Sequence, residues 1–522
     1  MTRKTRRTLI GCAVLLGVVA AFLVEEKVRG HLELKAWKRA MEAQGEHFNV
    51  AELAPPTTNA NARVVTPQQL QTLLVVDSGS DEPAVAGRLP PGKQAVLWKL
   101  AIWLGANDST NDWKSFTDRF AGTRERLPAF SAELTNRDWV VQLDYASGFN
   151  QLLPYLAPLK NSVRTLRRGM LIALHEHGQD EAVEDLLALR GLTDIQRNEP
   201  LIISQLVRVA LAEISLGAVW QALQADGWSD AQLATLQDAW AAPHFLLDMS
   251  RAIEMERAMA GDYFTGPHAS SSELRQLLSG PTGLGSPLGG EQQPATGPVI
   301  EWLRPILDKG SEFRWAVFLE IWRFAWAEQD QLFHHRVLQE RIRTAREADR
   351  LHNASVFQPD EAGAPDDSTD LPRLTDLERM GRFARARHWL SLMMLSAVDL
   401  YSRRAAVVDC HCEMAVTAIA LKRYQLKHGQ WPAKLSALVP EFLASEPRDW
   451  MDGQPLRYRL NPDGTFLLYS VGADGKDDDG DPRPKEGESR SMLKGRDFVW
   501  PQPATEAEIE AANASPNPSR RR

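Results

Sequence analysis

The sequence predicts a mainly α-helical protein with an N-terminal transmembrane helix, a body of helical hairpins and a small α+β module at the C-terminus. Three observations predict this architecture. A charge-free apolar segment follows a basic N-terminus, helical hydrophobic periodicity runs through most of residues 151–428, and the alternating apolar residues typical of strands appear after residue 453.

Composition narrows the class of protein. At 522 residues the chain is too long for one compact core, and roughly two to four domains are expected. Its hydrophobic fraction of 43% and charged fraction of 25% are those of an ordinary globular protein. The formal net charge of -8, without a basic stripe, argues against nucleic acid as a main partner. The three cysteines (Cys12, Cys410 and Cys412) cannot build a disulfide framework.

The N-terminus predicts the location of the protein. Four cations within residues 1–7 precede the uncharged segment Thr8–Val24, which has the minimum length for a spanning helix. The positive-inside rule places residues 1–7 in the cytoplasm and the bulk of the chain in the periplasm, as a single-pass protein of a bacterial inner membrane. A cleaved signal peptide is the alternative. The apolar segment ends without a small-x-small cleavage site, which favours an uncleaved anchor.

Breaks in the pattern divide the chain into regions. Pro-, Gly- and Ser-rich stretches interrupt the helical periodicity, and residues 55–150 carry no pattern that assigns a fold. The charged helix after the anchor is expected to hold the chain away from the membrane. The expected regions are a cytoplasmic basic tail at 1–7, the anchor at 8–24, a stalk and mixed region at 25–150, a helical-hairpin domain at 151–264, a flexible insertion at 265–298, a helical region at 299–402 with a loop at 353–370, an α+β module at 403–500 and a disordered tail at 501–522.

The helical body carries recognisable start signals. Residues 201–226 are apolar around most of the helical circumference, which predicts a buried central helix with Pro200 at its first position. The spacing Ser229–Gln232 predicts a capping box, and Pro243 is expected to begin the next helix. An aromatic stripe at helical spacing is expected to be a packing face rather than a ligand surface. Its members are Trp315, Leu319, Trp322 and Trp326.

Familiar catalytic signatures are absent from the sequence. There is no Walker loop, dinucleotide fingerprint, G-x-S-x-G elbow or H-E-x-x-H motif. Several pairs lie two apart or adjacent on predicted helices, and such neighbours diverge too far to chelate one ion. These pairs are His175 and His177, His334 and His335, Cys410 and Cys412, and Glu254 and Glu256. We expect the first pair at a helix end and the cysteines in the core, and we assign no catalytic residue.

The C-terminal segment carries an ordered series of motifs: "HGQWP" at 428–432, "LSALVPEFL" at 435–443, a P-x-D turn at 447–449, "GQPLRYRL" at 453–460 and "YSVGADGK" at 469–476. In order and spacing they resemble the globular end of the major pseudopilin of type II secretion systems. The resemblance covers about residues 405–482 and implies a helix, a turn and a β-hairpin with "PDG" at its turn. The anchor lies far upstream of this segment, whereas in that family the membrane helix runs directly into the globular head. Filament assembly in the family's manner is therefore not expected.

The resemblance also implies calcium as a cofactor. In that family the loop after the last strand binds calcium, which takes oxygen ligands from carboxylates and backbone carbonyls. Asp474 matches the aspartate of the family motif, and further candidates follow it in the loop. The candidate metal ligands are Asp474, Asp477, Asp478, Asp479 and Asp481. A solvated acidic loop is the alternative, and no other cofactor is predicted.

These features together predict a membrane-anchored envelope protein that acts by binding or scaffolding, with envelope proteins as its partners. An enzyme of hydrolase type, with acidic and histidine residues of the helical body as its site, is the first alternative. A secretion-system subunit related to pseudopilins is the second, and it would require processing after Arg6.

Overall fold

The computed structural model describes residues 3–56, 62–75, 89–100, 113–135, 138–241, 244–266, 269–270, 272–274, 312–357, 380–395, 398–484, 493 and 495–514. The described chain is mainly helical, as predicted. The helices before the insertion are α1 (Arg3–Glu42), α2 (Val50–Leu53), α3 (Pro67–Leu73), α4 (Trp113–Arg124), α5 (Leu127–Leu134), α6 (Leu156–His175), α7 (Gln179–Asp194), α8 (Ile202–Leu223), α9 (Asp230–Trp240) and α10 (Phe245–Phe264). Those after it are α11 (Glu312–Ala325), α12 (Ala327–Leu351), α13 (Arg382–Arg387), α14 (Trp389–Met394), α15 (Val398–His428) and α16 (Glu506–Ala514). The insertion at 265–298 and the loop at 353–370 lie largely outside the described residues.

Helix α1 is one continuous helix of 40 residues with two different surroundings. Its apolar N-terminal half is exposed, whereas its second half lies along α12, where Glu26 and Leu34 are buried. A Cβ on Gly30 would lie 2.7 Å from Cγ of Gln329, so glycine permits the close approach of the two helices. The region after Val24, expected to be a stalk, is therefore part of the body.

The hairpins of the body are built around α8. The capping box of Ser229 and Gln232 at the start of α9 is present, as predicted. The prediction for Pro200 was wrong: α8 starts at Ile202, because Leu201 is still extended with φ −119° and ψ 130°. Trp220 and Trp240 are fully buried.

The aromatic stripe is split between two helices. Trp326 has φ −123° and separates α11 from α12, so the helix expected to be continuous is kinked there. Leu319 and Trp322 are fully buried and Trp326 is 7% exposed, which confirms the packing role at these three positions. The side chain of Trp315 lies outside the described residues.

Two short parallel strand pairs join distant parts of the chain. Strands β1 (Ala62–Val65) and β3 (Asp138–Val141) pair with Ala62 opposite Asp138. Strands β2 (Lys93–Gln94) and β7 (Gln502–Pro503) pair with Lys93 opposite Gln502. Segments of two to four residues carry too little periodicity to be predicted from sequence.

The C-terminal region contains the expected hairpin. Strands β4 (Arg457–Leu460) and β5 (Phe466–Ser470) are antiparallel, and β6 (Phe498–Val499) pairs with the other edge of β5. The long helix α15 does not belong to this region alone, since it packs against α8, α9 and α10. One hydrophobic core extends from Val65 to Ala512. The body and the C-terminal strands thus share a core.

Candidate functional site

The exposed apolar surface of α1 is the first feature that bears on function. Its apolar residues from Leu9 to Phe22 are exposed, for example Leu16 at 69% and Val18 at 62%. By length and composition two described helices are able to cross a membrane: Thr5–Glu42, whose apolar window is 0% buried, and Ile202–Leu223, whose window is 56% buried in the body. An N-terminal apolar helix that could span a membrane is therefore present, and a signal sequence has the same character.

Glu26 fixes the point where α1 enters the body. Its side chain is 2% exposed, and its carboxylate accepts a hydrogen bond from Nε1 of Trp326 at 3.0 Å. Arg387 pairs with the same oxygen at 2.6 Å, and Arg29 pairs with the other. The amide of Gln329 donates to the Glu26 carbonyl at 2.7 Å. Because a buried carboxylate needs such partners, this network ties α1 to α12 and α13 immediately after the apolar segment.

A second charged network fastens the chain just after α1. Arg346 bridges Glu46 at 2.6 Å and Glu254 at 2.8 Å, and Arg257 donates to Glu46 at 3.1 Å. Arg257 is fully buried, and its guanidinium also lies over the ring of Phe48. Both ends of the second half of α1 are therefore held by ion pairs.

A cleft of about 360 Å³ opens beside this junction. Its lining joins α1, the C-terminal end of α10, α11 and the start of α12. Charged residues of both signs line it: the cations Lys27 and Arg323, and the anions Glu320 and Glu328. Arg323 and Glu320 pair at 3.3 Å, and the Lys27 ammonium lies 4.7 Å from the ring centroid of Phe324. Such a cleft suits a polar or zwitterionic group.

The acidic loop closes around a carboxylate of the chain itself. Backbone N–H groups of Asp478, Gly480 and Asp481 all donate to Asp497, at 3.2, 2.6 and 3.2 Å. Asp497 is 0% exposed. Burial raises the pKa of Asp497, although these three hydrogen bonds lower it. Three backbone donors of the loop therefore converge on the Asp497 carboxylate.

The predicted metal ligands have different surroundings. Asp474 accepts a hydrogen bond from the N–H of Lys476, and Asp477 accepts one from the Tyr469 hydroxyl at 3.1 Å. Asp481 pairs with Arg483 at 2.7 Å. The remaining two follow: Asp478 lies 4.0 Å from Arg496, and Asp479 has φ +59°.

Calcium binding by this loop stays a prediction. The ion needs six to eight oxygen ligands around one point. Across the described ranges, which include residues 469–484, no group of three or more His, Cys, Asp or Glu side chains is placed to hold a metal ion. The anion-binding N–H groups of the loop are already occupied by Asp497.

The pairs that the sequence singled out are dispersed. His175 ends α6, as expected, and stacks on Trp113 with ring centroids 4.0 Å apart. Cys410 and Cys412 are free and buried, as expected, and burial raises the pKa of both thiols. His334 and His335 are 1% exposed, and burial lowers the pKa of His334 to about 3. Both imidazoles are therefore neutral core groups.

The two glutamates of α10 also have separate surroundings. Glu254 pairs with Arg346, whereas burial raises the pKa of Glu256 to about 7. Their carboxylates do not share a partner among the contacts of the described chain.

A buried polar cluster in the helical body was not predicted. Glu199 is 1% exposed, and Tyr155 donates its hydroxyl hydrogen to the carboxylate at 2.8 Å. Burial raises the pKa of Glu199 to about 7. Within the described part of the chain, the other Glu199 oxygen and the hydroxyls of Tyr145 and Ser204 lack a well-aligned hydrogen-bond partner, as does the side-chain amide of Gln196. The only sequence signal was an acidic residue in the short link between α7 and α8.

Other buried carboxylates form the polar framework of the body. Three of them, Asp409, Asp330 and Asp449, accept hydrogen bonds from backbone N–H groups, and sequence patterns give little indication of such long-range partners. Asp409 caps α10 by accepting from the N–H groups of Phe245 and Leu246, at 2.9 and 2.8 Å. Asp330 accepts from Nε1 of Trp322, and Asp449 accepts from the hydroxyl of Ser470 at 2.7 Å. These are structural acids.

No family model, no curated protein and no solved structure matches this chain.

Proposed function

We propose that this protein is a single-pass envelope protein, anchored by α1, whose body binds or scaffolds other envelope components. One observation carries the proposal: α1 is a single helix whose exposed apolar half ends where Glu26 enters the body. The basic flank at Arg6 and Arg7 favours a cytoplasmic N-terminus and a periplasmic body. The rigid junction would hold one face of the body at a fixed height above the bilayer.

The cleft beside the junction is the binding site that we favour. It opens at the level of Lys27, three residues beyond the apolar segment, and its lining carries both signs of charge. A partner that reaches this cleft would itself be at the membrane surface, either as the juxtamembrane segment of another protein or as a soluble subunit bound there.

Topology is tested with reporters fused after Arg522. Alkaline phosphatase, which is active only outside the cytosol, should be active there, and a fluorescent protein that folds only in the cytosol should be dark. The opposite pair of results would refute the periplasmic body. Leu16→Arg, placed in the apolar half of α1, should release the chain from membranes during carbonate extraction. Leu460→Arg, at a position 42% exposed on β4, is the matched control and should leave extraction unchanged.

Binding is tested by photocrosslinking in the protein's own membrane. A photoreactive amino acid in place of Glu320, at the cleft, should capture a specific envelope protein. The same group in place of Leu460 is the control. Capture of the same set of proteins from both positions, or of none from the cleft, would refute a binding role for this cleft.

In this proposal, the resemblance of residues 405–482 to pseudopilins reflects the ancestry of the C-terminal part. It does not imply that the protein assembles as pseudopilins do. A secretion-system subunit would be processed after Arg6. Mass spectrometry of the purified chain should find the N-terminus intact, and cleavage there would favour the secretion-system alternative.

An enzyme is the second candidate, and the Glu199 cluster is the observation that favours it. A carboxyl with a pKa near 7 beside two phenols is able to exchange a proton near neutral pH. Native mass spectrometry of the chain from its own membrane should then reveal a small polar ligand that Glu199→Gln loses. A ligand-free wild-type chain would make the cluster a structural network.

A further inference from the structure

We propose that α11 and α13 lie in the interfacial layer of the bilayer at the Val24 end of α1, so that the body is seated in the membrane surface. The exposed side chains of α11 and α13 are thus covered by the phospholipid bilayer itself. The inference rests on the proposed crossing of the membrane by α1.

The direction of α12 fixes the position of α11. Helix α12 runs beside the second half of α1 in the same sense, since Gln329 lies against Gly30 and His335 stacks on Trp37. Helix α11 precedes α12 with only Trp326 between them. It therefore continues alongside the earlier turns of α1, toward the membrane segment.

Contacts at the junction agree with this placement. Phe324, near the end of α11, lies under the Lys27 ammonium. Leu23, the penultimate residue of the apolar segment, packs on the same hydrophobic cluster as Phe318 and Ile321. The body thus begins beside the last turns of the apolar segment and not beyond them.

The height of α11 follows from helix geometry. Val317 precedes Phe324 by seven residues, which is roughly 10 Å at the helical rise of about 1.5 Å per residue. Lys27 lies three residues beyond Val24, or roughly 4.5 Å by the same rise. Val317 is therefore about 6 Å below the level of Val24, within the roughly 5–10 Å depth at which interfacial helices bury their apolar side.

Helix α13 reaches the same level from another direction. The ring centroid of Phe383 is 6.4 Å from that of Phe22, which is itself in the apolar segment. Phe383 is 52% exposed, and Arg387 lies over its ring at 5.1 Å. The exposed surface of Phe383 is thus continuous with the exposed apolar surface of α1.

The side chains at this level have an interfacial composition. Val317 is 43% exposed, Phe324 is 45% exposed, and cations accompany the aromatic rings. Aromatic residues with Arg and Lys are the usual anchors at the boundary between lipid and water. Continuity with the lipid-facing surface of α1 favours the bilayer over a partner protein as the occupant.

Spin labels on single cysteines measure the depth directly. The full chain with Cys12→Ser is reconstituted into phosphatidylcholine–phosphatidylglycerol vesicles, with Cys410 and Cys412 buried and the unlabelled background checked for reaction. Test labels are placed by Val317→Cys and Phe383→Cys. Leu16→Cys reports the bilayer core, and Leu460→Cys is an exposed control on β4. Collision rates with oxygen, which partitions into lipid, are compared with those of a water-soluble nickel chelate.

We expect the ratio of the oxygen collision rate to the nickel-chelate collision rate at positions 317 and 383 to be about threefold or more above the ratio at position 460. It should be below the ratio at position 16. A ratio at both test positions equal to that at 460, with position 16 in lipid, would overturn this inference and leave the membrane anchor in place. An aqueous label at position 16 would overturn the proposed function itself. Labels shielded from both reagents would mean that protein covers this surface, which also overturns the inference. Unchanged thermal melting of each labelled chain establishes that the fold is intact.

Discussion

Glu199→Gln should change how the stability of the protein depends on pH. The carboxyl is 1% exposed, and burial raises its pKa from 4.5 to about 7, because ionisation would place a charge inside the body. Because the pKa is raised in the folded state, the contribution of Glu199 to the free energy of unfolding is fully present below pH 4.5. This contribution is lost as the pH rises through about 7. The neutral amide of the variant does not titrate.

The size of the effect follows from the shift. With about 1.4 kcal/mol per pKa unit, ionisation of Glu199 should destabilise the fold by about 2.5 kcal/mol more at pH 8 than at pH 5. The difference in apparent unfolding free energy between wild type and Glu199→Gln should therefore move by that amount in favour of the variant over this range. Comparing the two chains removes the contributions of other titrating groups that they share.

Denaturant unfolding of the full chain in detergent, followed at pH 5 and pH 8, measures this difference. Glu441→Gln is the control, because the Glu441 side chain is 51% exposed and pairs with Lys427 at the surface. A Glu199→Gln chain whose pH dependence equals that of the wild type and the control would refute the assignment of a raised pKa to Glu199, and with it the enzyme alternative.

Three further predictions concern other parts of the fold. Asp497→Ala should leave the loop N–H groups unpaired, at a cost of roughly 1–3 kcal/mol, and should speed tryptic cleavage after Lys476, whereas Asp463→Ala in the exposed hairpin turn should not; equal cleavage rates would contradict the closing role of Asp497. Arg208→Met should destabilise the body by about 3–5 kcal/mol in denaturant unfolding, since the buried Asp248 would lose its fully buried cation partner, at 2.7 Å, and keep the exposed Arg251. Arg423→Met breaks a pair whose carboxylate, Asp230, is 58% exposed, and should cost about 1 kcal/mol or less. Similar losses in the two variants would argue against a buried pair. The melting midpoint measured with calcium should equal the midpoint measured with a chelator, because the loop donors converge on Asp497. A calcium-dependent rise in the midpoint that Asp474→Asn abolishes would instead establish the loop as a metal site.

Local sequence patterns predicted the structural features that depend on residues close together in the chain. The capping box at Ser229 needs only a hydroxyl and an amide three residues apart, and both were recognisable before the structure. The burial of Leu319 and Trp322 follows from the same kind of periodicity. The hairpin from Arg457 to Ser470 was marked by its turn residues.

Features set by distant contacts were not predictable. The pairing of β1 with β3 needs residues 62–65 to meet residues 138–141, and neither segment is long enough to show a period. The contact between the acidic loop and Asp497 was not predicted, because Asp497 lies beyond the loop in sequence. The second half of α1 looked like a stalk, because the ion pairs that fasten it and the residues just after it come from residues 257–387.

The order in which the chain is made gives the β2–β7 pair a further consequence. Lys93 and Gln94 acquire their strand partners only at Gln502 and Pro503, and Nε1 of Trp220 donates to the carbonyl of Pro501. A growing polypeptide therefore leaves the ribosome almost complete before these early segments have anything to pair with. Premature stop codons before residue 501 should consequently yield aggregation-prone products and not a smaller functional protein, and synthesis should depend on holdase chaperones until residues 501–503 emerge.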